Sequence, residues 1–154
     1  MNPLGTLAEV VCIDASELEE APEHLNDAEA AALPLTGLTA WRALFTKSNN
    51  AKPGHNILVT GIGGGVALMA LLFAVAQGCN VYVTSGSQEK IEKAKQLGAV
   101  GGVNYKEKTW EKKLVELLPK DRKWIDAIID GAGGDVVAKA SKIVKVSESL
   151  PRYA

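Results

Sequence analysis

The sequence lacks several features that would assign it to a class of protein at once. Its longest apolar run, Val66–Ala76, is about half the roughly 20 residues that a helix needs to span a bilayer. The 17 basic and 18 acidic residues leave a formal net charge of −1, which gives no electrostatic reason to expect nucleic acid or an anionic membrane as a partner. The first residues, MNPLGTLAEV, also lack the basic-then-apolar order of a signal peptide. These absences predict a cytoplasmic protein that binds neither membrane nor nucleic acid.

Cysteine and histidine are scarce in this sequence. Cys12 and Cys79 are far apart and form no CxxC pair, a pattern that favours two buried free thiols over one disulfide. His24 and His55 are isolated, and neither has the spacing that zinc ligands show. We therefore expect no metal site in this chain.

The N-terminal part contains a β-prone run and two candidate helices. The run LAEVVCI predicts a strand over residues 7–13. Asn26 stands three positions before Glu29, which is the spacing of a capping box at a helix start, and Pro34 then predicts an interruption. A second helix fits residues 36–47, where the apolar side chains have helical spacing. The turn-rich stretch that follows, SNNAKPGHN, is the clearest boundary in the chain.

From residue 51 onwards, apolar strands alternate with helical patterns. The predicted strands cover residues 57–60, 80–85, 103–105 and 125–130, and the predicted helices cover residues 66–77, 88–97, 109–118 and 136–144. This order predicts parallel strands joined by right-handed helical crossovers. Continuous apolar runs such as ILVT and AIID are typical of a sheet covered on both faces. The predicted fold class is α/β: a Rossmann-like open parallel sheet with helices on both faces.

A glycine-rich stretch, GIGGGVA, connects the first of these strands to a helix. Glycines at such a turn let backbone N–H groups approach a pyrophosphate, and the helix N-terminus adds donors and a favourable dipole. The strict GxGxxG fingerprint is not met, because Val66 occupies the third glycine's place. A GxxGxxA pattern does fit, with Gly61, Gly64 and the small Ala67. Its position between a strand and a helix favours a dinucleotide-binding turn over a merely tight connection.

The end of the second strand bears on the type of dinucleotide. An NAD-binding fold usually carries an acidic residue about 20 positions after the turn, bonded to the ribose 2′-hydroxyl. Here the strand ends in VYVTSGSQEK, with no carboxylate before Glu89. The hydroxyls of Ser85 and Ser87 and the ammonium of Lys90 suit a 2′-phosphate, which favours NADP(H) over NAD(H). The alternative is that Ser87 only caps the next helix and Lys90 is a solvated surface residue.

Several stretches taken together resemble a known superfamily. They are AEAAALPLTGLTAWRALF, GIGGGVA, EKIEKAKQLGAVGGVNYKE and DGAGGD, in that order. They are similar to the medium-chain dehydrogenase/reductase superfamily, and most of all to its quinone-oxidoreductase and enoyl-reductase-like branch, which includes fungal proteins named zinc-type alcohol dehydrogenase-like. The resemblance implies an NADPH-dependent reductase in which a Rossmann domain is inserted into a GroES-like catalytic domain.

The resemblance also implies a set of cofactor contacts. Gly64, Gly65 and Val66 would line the pyrophosphate, and Thr39 would lie on the nicotinamide side. Ser87, Lys90 and Tyr105 would surround the 2′-phosphate, while glycines after the fourth strand would lie near the middle of the cofactor, with Asp130 beside them as either a ribose ligand or a turn residue. The candidate cofactor-binding residues are therefore Thr39, Gly61, Gly64, Gly65, Val66, Ala67, Ser85, Ser87, Lys90, Tyr105, Gly131 and Gly133.

Measured against that resemblance, the chain is expected to be a truncated member. Residues 1–50 are expected to be a remnant of the GroES-like catalytic domain with its connecting helices. Residues 51–145 would form a partial dinucleotide-binding domain, and residues 146–154 an atypical polar tail. The sheet would then be incomplete at its C-terminal side, and its open edge would invite self-association.

These observations predict the cofactor-binding part of an NADPH-dependent oxidoreductase of the quinone or enoyl reductase type. No residue of the chain qualifies as a proton donor at the reacting centre, so none is assigned as catalytic. The alternative function is a non-catalytic nucleotide-binding module or a pseudoenzyme fragment.

Overall fold

The computed structural model describes residues 5–145. Two compact units are present, one ending at Ala32 and one beginning at Leu33. The first unit contains a short 3-10 helix, Ala15–Glu17. It also contains the predicted capping box, in which Glu29 N–H donates to Asn26 Oδ1 and Asn26 N–H donates to Glu29 Oε2, both at 3.0 Å.

Residues 7–13 do not form the predicted strand. Leu7 and Val10 are exposed, and no described residue pairs with this segment. A strand is stable only where neighbouring backbone groups satisfy its N–H and C=O groups, so β propensity alone does not order this segment. Cys12 lies within it and is exposed rather than buried as expected, whereas Cys79 is buried, and both are free thiols.

Helix α1, Asp27–Trp41, runs through Pro34 without the predicted interruption. A π-helical segment, Arg42–Lys47, continues it directly. Proline removes one helical hydrogen bond, but the turns after it are held by packing, since Ala40 and Leu44 are completely buried. The two predicted helices are therefore one continuous helical stretch.

Four parallel strands form the sheet of the second unit. They are β1 (Asn56–Val59), β2 (Asn80–Ser85), β3 (Gly101–Asn104) and β4 (Ala127–Ile129). Their order across the sheet is β3-β2-β1-β4, and every pair is parallel. This order confirms the predicted Rossmann-like α/β fold, and it places a topological switch point between β1 and β4.

Helices cover both faces of this sheet. They are α2 (Gly65–Ala76), α3 (Gln88–Gln96), α4 (Trp110–Leu117) and α5 (Val136–Ala140), the last followed by a 3-10 turn, Ser141–Ile143. Side chains alternate along a strand, so β1 contributes to two cores. Ile57 and Val59 pack with residues of α2 and α3, whereas Leu58 packs with Trp110 and Leu114 of α4. Burial on both faces explains why the strand is continuously apolar.

Residues 143–145 lie beside Ile125, which precedes β4, on the side away from β1. Ile125 N–H donates to the Ile143 carbonyl at 2.8 Å, and Lys145 N–H donates to the Ile125 carbonyl at 2.9 Å. This parallel bridge is at the position of a fifth strand, because the next residue, Asp126, donates to Asn56 of β1 on the other side. The predicted tail, residues 146–154, lies outside the described residues. Among the described helices, none has the length and apolar content to cross a bilayer.

Candidate functional site

The glycine turn lies at the carboxyl end of β1 and is tied to the end of β2. Gly61 N–H donates to Thr84 Oγ1 at 3.2 Å, and Ile62 N–H donates to the Thr84 carbonyl at 3.1 Å. Gly61 has a φ of +62°, a left-handed conformation that costs any residue with a Cβ. A Cβ there would also lie 3.2 Å from the Cβ of Ala132. The backbone of this turn therefore requires glycine at position 61.

The N-terminus of α2 leaves backbone donors unused next to this turn. The first helical hydrogen bond runs from Leu68 N–H to the Gly64 carbonyl at 3.0 Å, so the N–H groups of Gly65, Val66 and Ala67 have no partner within the helix. Gly64 occupies the N-cap position and has no side chain with which to cap them. Unpaired donors at the positive end of the helix dipole form an anion-binding site.

A large cavity of about 850 Å³ lies on one side of the turn. Its apolar lining includes Leu38 and Ile129, and Arg42 and Lys47 contribute to its polar lining. Seven candidate residues line it: Thr39, Gly61, Gly64, Gly65, Val66, Ala67 and Gly131. Such a mixed apolar and polar lining is typical of small-molecule sites.

A smaller cavity of about 360 Å³ lies on the other side, against the loops that follow β2 and β3. Six candidate residues line it: Gly61, Gly64, Ser85, Ser87, Lys90 and Tyr105. Gly61 and Gly64 therefore belong to the walls of both cavities. Gly133 is the one candidate that lines neither cavity.

The small cavity is rich in donors. Ser87 sits at the N-cap of α3, but its side chain makes no capping hydrogen bond, which leaves the hydroxyl available to a ligand. The Lys90 ammonium lies over the turn, 2.7 Å from the place where a Cβ on Gly63 would be. Tyr105 is partly exposed, and no Asp or Glu is among the residues that line this cavity. Such a pocket favours an anion.

Sequence reasoning missed Gly86 and Lys106, which also line the small cavity. A Cβ on Gly86 would lie 2.8 Å from the Tyr105 hydroxyl and 2.8 Å from Lys106 Cε. The absence of a side chain at position 86 is therefore what lets both groups approach. The available signal was the position of Lys106, directly after Tyr105 in VNYKE.

The loop after β4 is organised by a carboxylate. Asp130 Oδ1 accepts hydrogen bonds from Thr60 Oγ1 at 2.5 Å, from Ala132 N–H at 3.2 Å and from Gly133 N–H at 3.3 Å. Gly131 N–H donates to Thr60 Oγ1 at 3.3 Å. Asp130 Oδ1 therefore orders this loop, and the same exposed residue also lines the large cavity.

Metal binding has no visible basis in the described residues. None of their His, Cys, Asp and Glu side chains form a group of three that could hold an ion.

The amino ends of the strands form a different, closed site. The buried Asp126 carboxylate accepts hydrogen bonds from Asn56 N–H at 2.9 Å, from Arg122 Nη1 at 2.8 Å and from Trp124 Nε1 at 3.1 Å. Burial alone would raise the pKa of Asp126, but these three donors together lower it below its ordinary value. The carboxylate therefore accepts hydrogen bonds that stabilise the fold, and it lies at the opposite end of the strands from the glycine turn.

Comparison with known proteins places the chain among dehydrogenases. A family model described as "Zinc-binding dehydrogenase" matches residues 65–150, more than half of the chain. The chain is 60% identical over 144 residues to the zinc-type alcohol dehydrogenase-like protein YogA of Leptosphaeria maculans. That alignment covers 92% of this chain and 40% of the relative, so the chain spans about two fifths of its length.

Two solved structures share the fold and are described with different cofactors. An NAD-dependent alcohol dehydrogenase superposes with a TM-score of 0.81 and 36% identity, covering 91% of this chain and 40% of that one. The quinone oxidoreductase of Thermus thermophilus, solved also with NADPH, gives a TM-score of 0.78 and 29% identity, covering 92% of this chain and 45% of that one. The fold is therefore compatible with either dinucleotide.

Proposed function

Because the chain belongs to the zinc-binding dehydrogenase family of the medium-chain dehydrogenase/reductase superfamily, we propose that it binds a nicotinamide dinucleotide across the glycine turn. The observation that carries the proposal is the pair of cavities that share Gly61 and Gly64 as a common wall. A dinucleotide has two halves joined by a pyrophosphate. Two cavities on either side of an anion-binding turn match that division.

We assign each candidate residue a contact with the dinucleotide from its position at the turn or in one of the two cavities. The N–H groups of Gly65 and Val66 would bind the pyrophosphate. Gly64, whose own N–H donates to the Gly61 carbonyl at 3.0 Å, would let it approach because it has no side chain. Thr39, in the large cavity, would contact the nicotinamide half. Ala67 is buried against the core and would allow α2 to pack closely below the turn, while Gly131 and Gly133 would pass near the middle of the cofactor.

We propose NADP(H) as the preferred form. The small cavity brings Ser85, Ser87, Lys90 and Tyr105 together without a carboxylate. A carboxylate that accepts from the 2′-hydroxyl is what NAD-type sites use, whereas hydroxyl and ammonium donors suit a 2′-phosphate. The fold leaves both cofactors open, so the preference rests on this cavity.

The bound nicotinamide would supply hydride chemistry, and the residues of this chain would hold and orient it. We propose that the whole protein is a reductase of the quinone or enoyl type, with residues 51–145 as its dinucleotide-binding part and residues 1–50 as the end of its catalytic domain. No residue of this chain is assigned a proton-transfer role or a role as a zinc ligand. Cytoplasmic location and self-association through the sheet edge stay predictions from the sequence.

Calorimetric titration of the purified chain with NADPH and NADH tests the cofactor assignment. We expect saturable binding of both, with NADPH the tighter. If neither nucleotide binds, the dinucleotide site is refuted. If NADH binds more tightly than NADPH, the 2′-phosphate assignment alone is refuted.

An assay of NADPH oxidation with a small quinone tests the reaction. Turnover by the chain, lost on addition of excess adenosine 2′,5′-bisphosphate, would establish a reductase. Binding without turnover would instead describe a nucleotide-binding module that needs further residues for catalysis.

A further inference from the structure

We propose that Lys106 is a second cation for the phosphate monoester of the cofactor, and that it shares with Lys90 the discrimination against NADH. This inference rests on the proposed function and deepens it, because two lysine side chains in the wall of one cavity favour a dianionic ligand group. Gly86 is a positioning residue in this arrangement, since it lets Lys106 and Tyr105 reach the cavity.

The placement of Lys106 is fixed by the backbone. Ser85, the last residue of β2, is in register with Asn104, the last residue of β3. Beyond that pair, Tyr105 N–H donates to the Ser85 carbonyl at 3.2 Å, and Lys106 N–H donates to Asn104 Oδ1 at 3.0 Å. The loop after β3 is therefore tied to the loop after β2, and Lys106 lies in the wall of the small cavity together with Lys90.

Neither lysine forms an ion pair with the glutamate beside it, although the charge of Lys90 contributes to the lowered pKa of Glu89. Glu89, next to Lys90, pairs with Lys93 at 2.8 Å, and Glu107, next to Lys106, pairs with Lys113. Within residues 5–145, neither Lys90 nor Lys106 has an ion pair or a hydrogen-bonded ammonium. Two unpaired cations on one small cavity repel each other, and a phosphate monoester, with its charge near −2 at neutral pH, would relieve that repulsion better than a hydroxyl.

Gly86 controls how closely these groups approach. The two atoms that a Cβ would meet there, the Tyr105 hydroxyl oxygen and Lys106 Cε, are both at 2.8 Å and lie at the ends of flexible side chains. A methyl group would therefore displace the phenol and the lysine without disturbing the backbone. The expected consequence is a loss of phosphate affinity in a protein that is still folded.

The test uses two nucleotides that differ only in the phosphate of interest, adenosine 2′,5′-bisphosphate and adenosine 5′-monophosphate. Their affinities are measured calorimetrically on the full chain at low salt. We expect Lys106→Gln to weaken binding of the bisphosphate about fivefold, as for loss of an exposed ion pair, and to leave the monophosphate unchanged. Lys106→Arg keeps the charge and should retain the preference. Lys108→Gln, an exposed lysine outside the cavity, is the matched control and should change neither affinity.

Further outcomes complete the test. The double variant Lys90→Gln/Lys106→Gln should bind the two nucleotides nearly equally, and Gly86→Ala should lower the preference with an unchanged unfolding transition. If Lys90→Gln weakens the bisphosphate and Lys106→Gln does not, the role of Lys106 is wrong while the proposed function stands. If the wild-type chain binds both nucleotides equally, the 2′-phosphate assignment and this inference fail while the dinucleotide site stands. If it binds neither nucleotide, the proposed function fails as well.

Discussion

At the carboxyl ends of the strands backbone donors are left open, whereas at the amino ends the buried side chains of Asn56 and Asp126 are hydrogen-bonded. The glycine turn borders two cavities, and the N–H groups of Gly65, Val66 and Ala67, which have no partner within α2, lie at the larger one. On the opposite side, Asn56 Nδ2 donates to the carbonyls of Arg122 and Trp124, both at 2.9 Å, and Asn80 Nδ2 donates to Asn56 Oδ1 at 3.1 Å. One end of the sheet therefore holds the strands together, and we propose that the other holds a ligand.

This division has an energetic reason. Backbone donors that await a ligand cannot contribute to folding, so stability must come from elsewhere. The core residues of β1 supply the apolar part, and the Asp126 network supplies the polar part. Substitutions at the two ends should therefore separate stability from binding.

The largest effect is expected from Asp126→Ala. It leaves Asn56 N–H, the Arg122 guanidinium and Trp124 Nε1 without their acceptor, and unsatisfied buried donors of this kind cost about 3 kcal/mol. Urea denaturation should record that loss in the free energy of unfolding. The affinity of the folded variant for NADPH should stay unchanged. Asp121→Ala, at an exposed carboxylate nearby, is the control, and an equal loss there would refute the special role of Asp126.

Gly61→Ala should lower stability less than Asp126→Ala does, and it should abolish NADPH binding. Its positive φ and the 3.2 Å approach to Ala132 predict a loss of about 1–2 kcal/mol in the free energy of unfolding. The turn must also shift, which moves the N–H groups aimed at the pyrophosphate. Gly131→Ala has no atom within 4 Å of the added Cβ, and its unfolding curve should match the wild type. Retention of NADPH affinity in Gly61→Ala would contradict the site.

Lowering the pH should produce the smallest effect, and at the amino ends of the strands it should act through Asp126. The pKa of Asp126 is lower in the folded chain than its ordinary value of 3.8, so its contribution is fully present above that value and is lost as the pH falls through the folded pKa. The loss is smaller than that of Asp126→Ala because the protonated carboxyl still fills the site and still accepts hydrogen bonds. Urea denaturation from neutral pH down to about pH 3 should give a flatter profile for Asp126→Asn than for the wild type. Parallel profiles would assign the acid sensitivity to other groups.

The parts of the fold that the sequence predicts best are those set by local pattern. Strand β2 was predicted with its observed bounds, and β1 within one residue, because burial on both faces makes these strands continuously apolar. The capping box at Asn26 also depends only on neighbouring residues. The strand predicted over residues 7–13 was wrong because a strand depends on a partner that local sequence does not specify.

The site follows the same rule. The glycine turn is a local feature and could be located from GIGGGVA alone. Lys106 and Gly86 could not, because their meeting depends on β2 and β3 being neighbours in register. Pro34 is the opposite case. The helix interruption that it predicts is absent, because the turns after it are held by the burial of Ala40 and Leu44.

The common wall formed by Gly61 and Gly64 also limits how this site can diversify. Any substitution at these two glycines alters the surroundings of both halves of the proposed ligand at once, so we expect it to weaken binding of the whole dinucleotide. The loops after β2 and β3 border only the small cavity, and they are free to vary by themselves. Redesign of the chain toward NAD(H) should therefore be confined to those loops, and the glycine turn should be left unchanged.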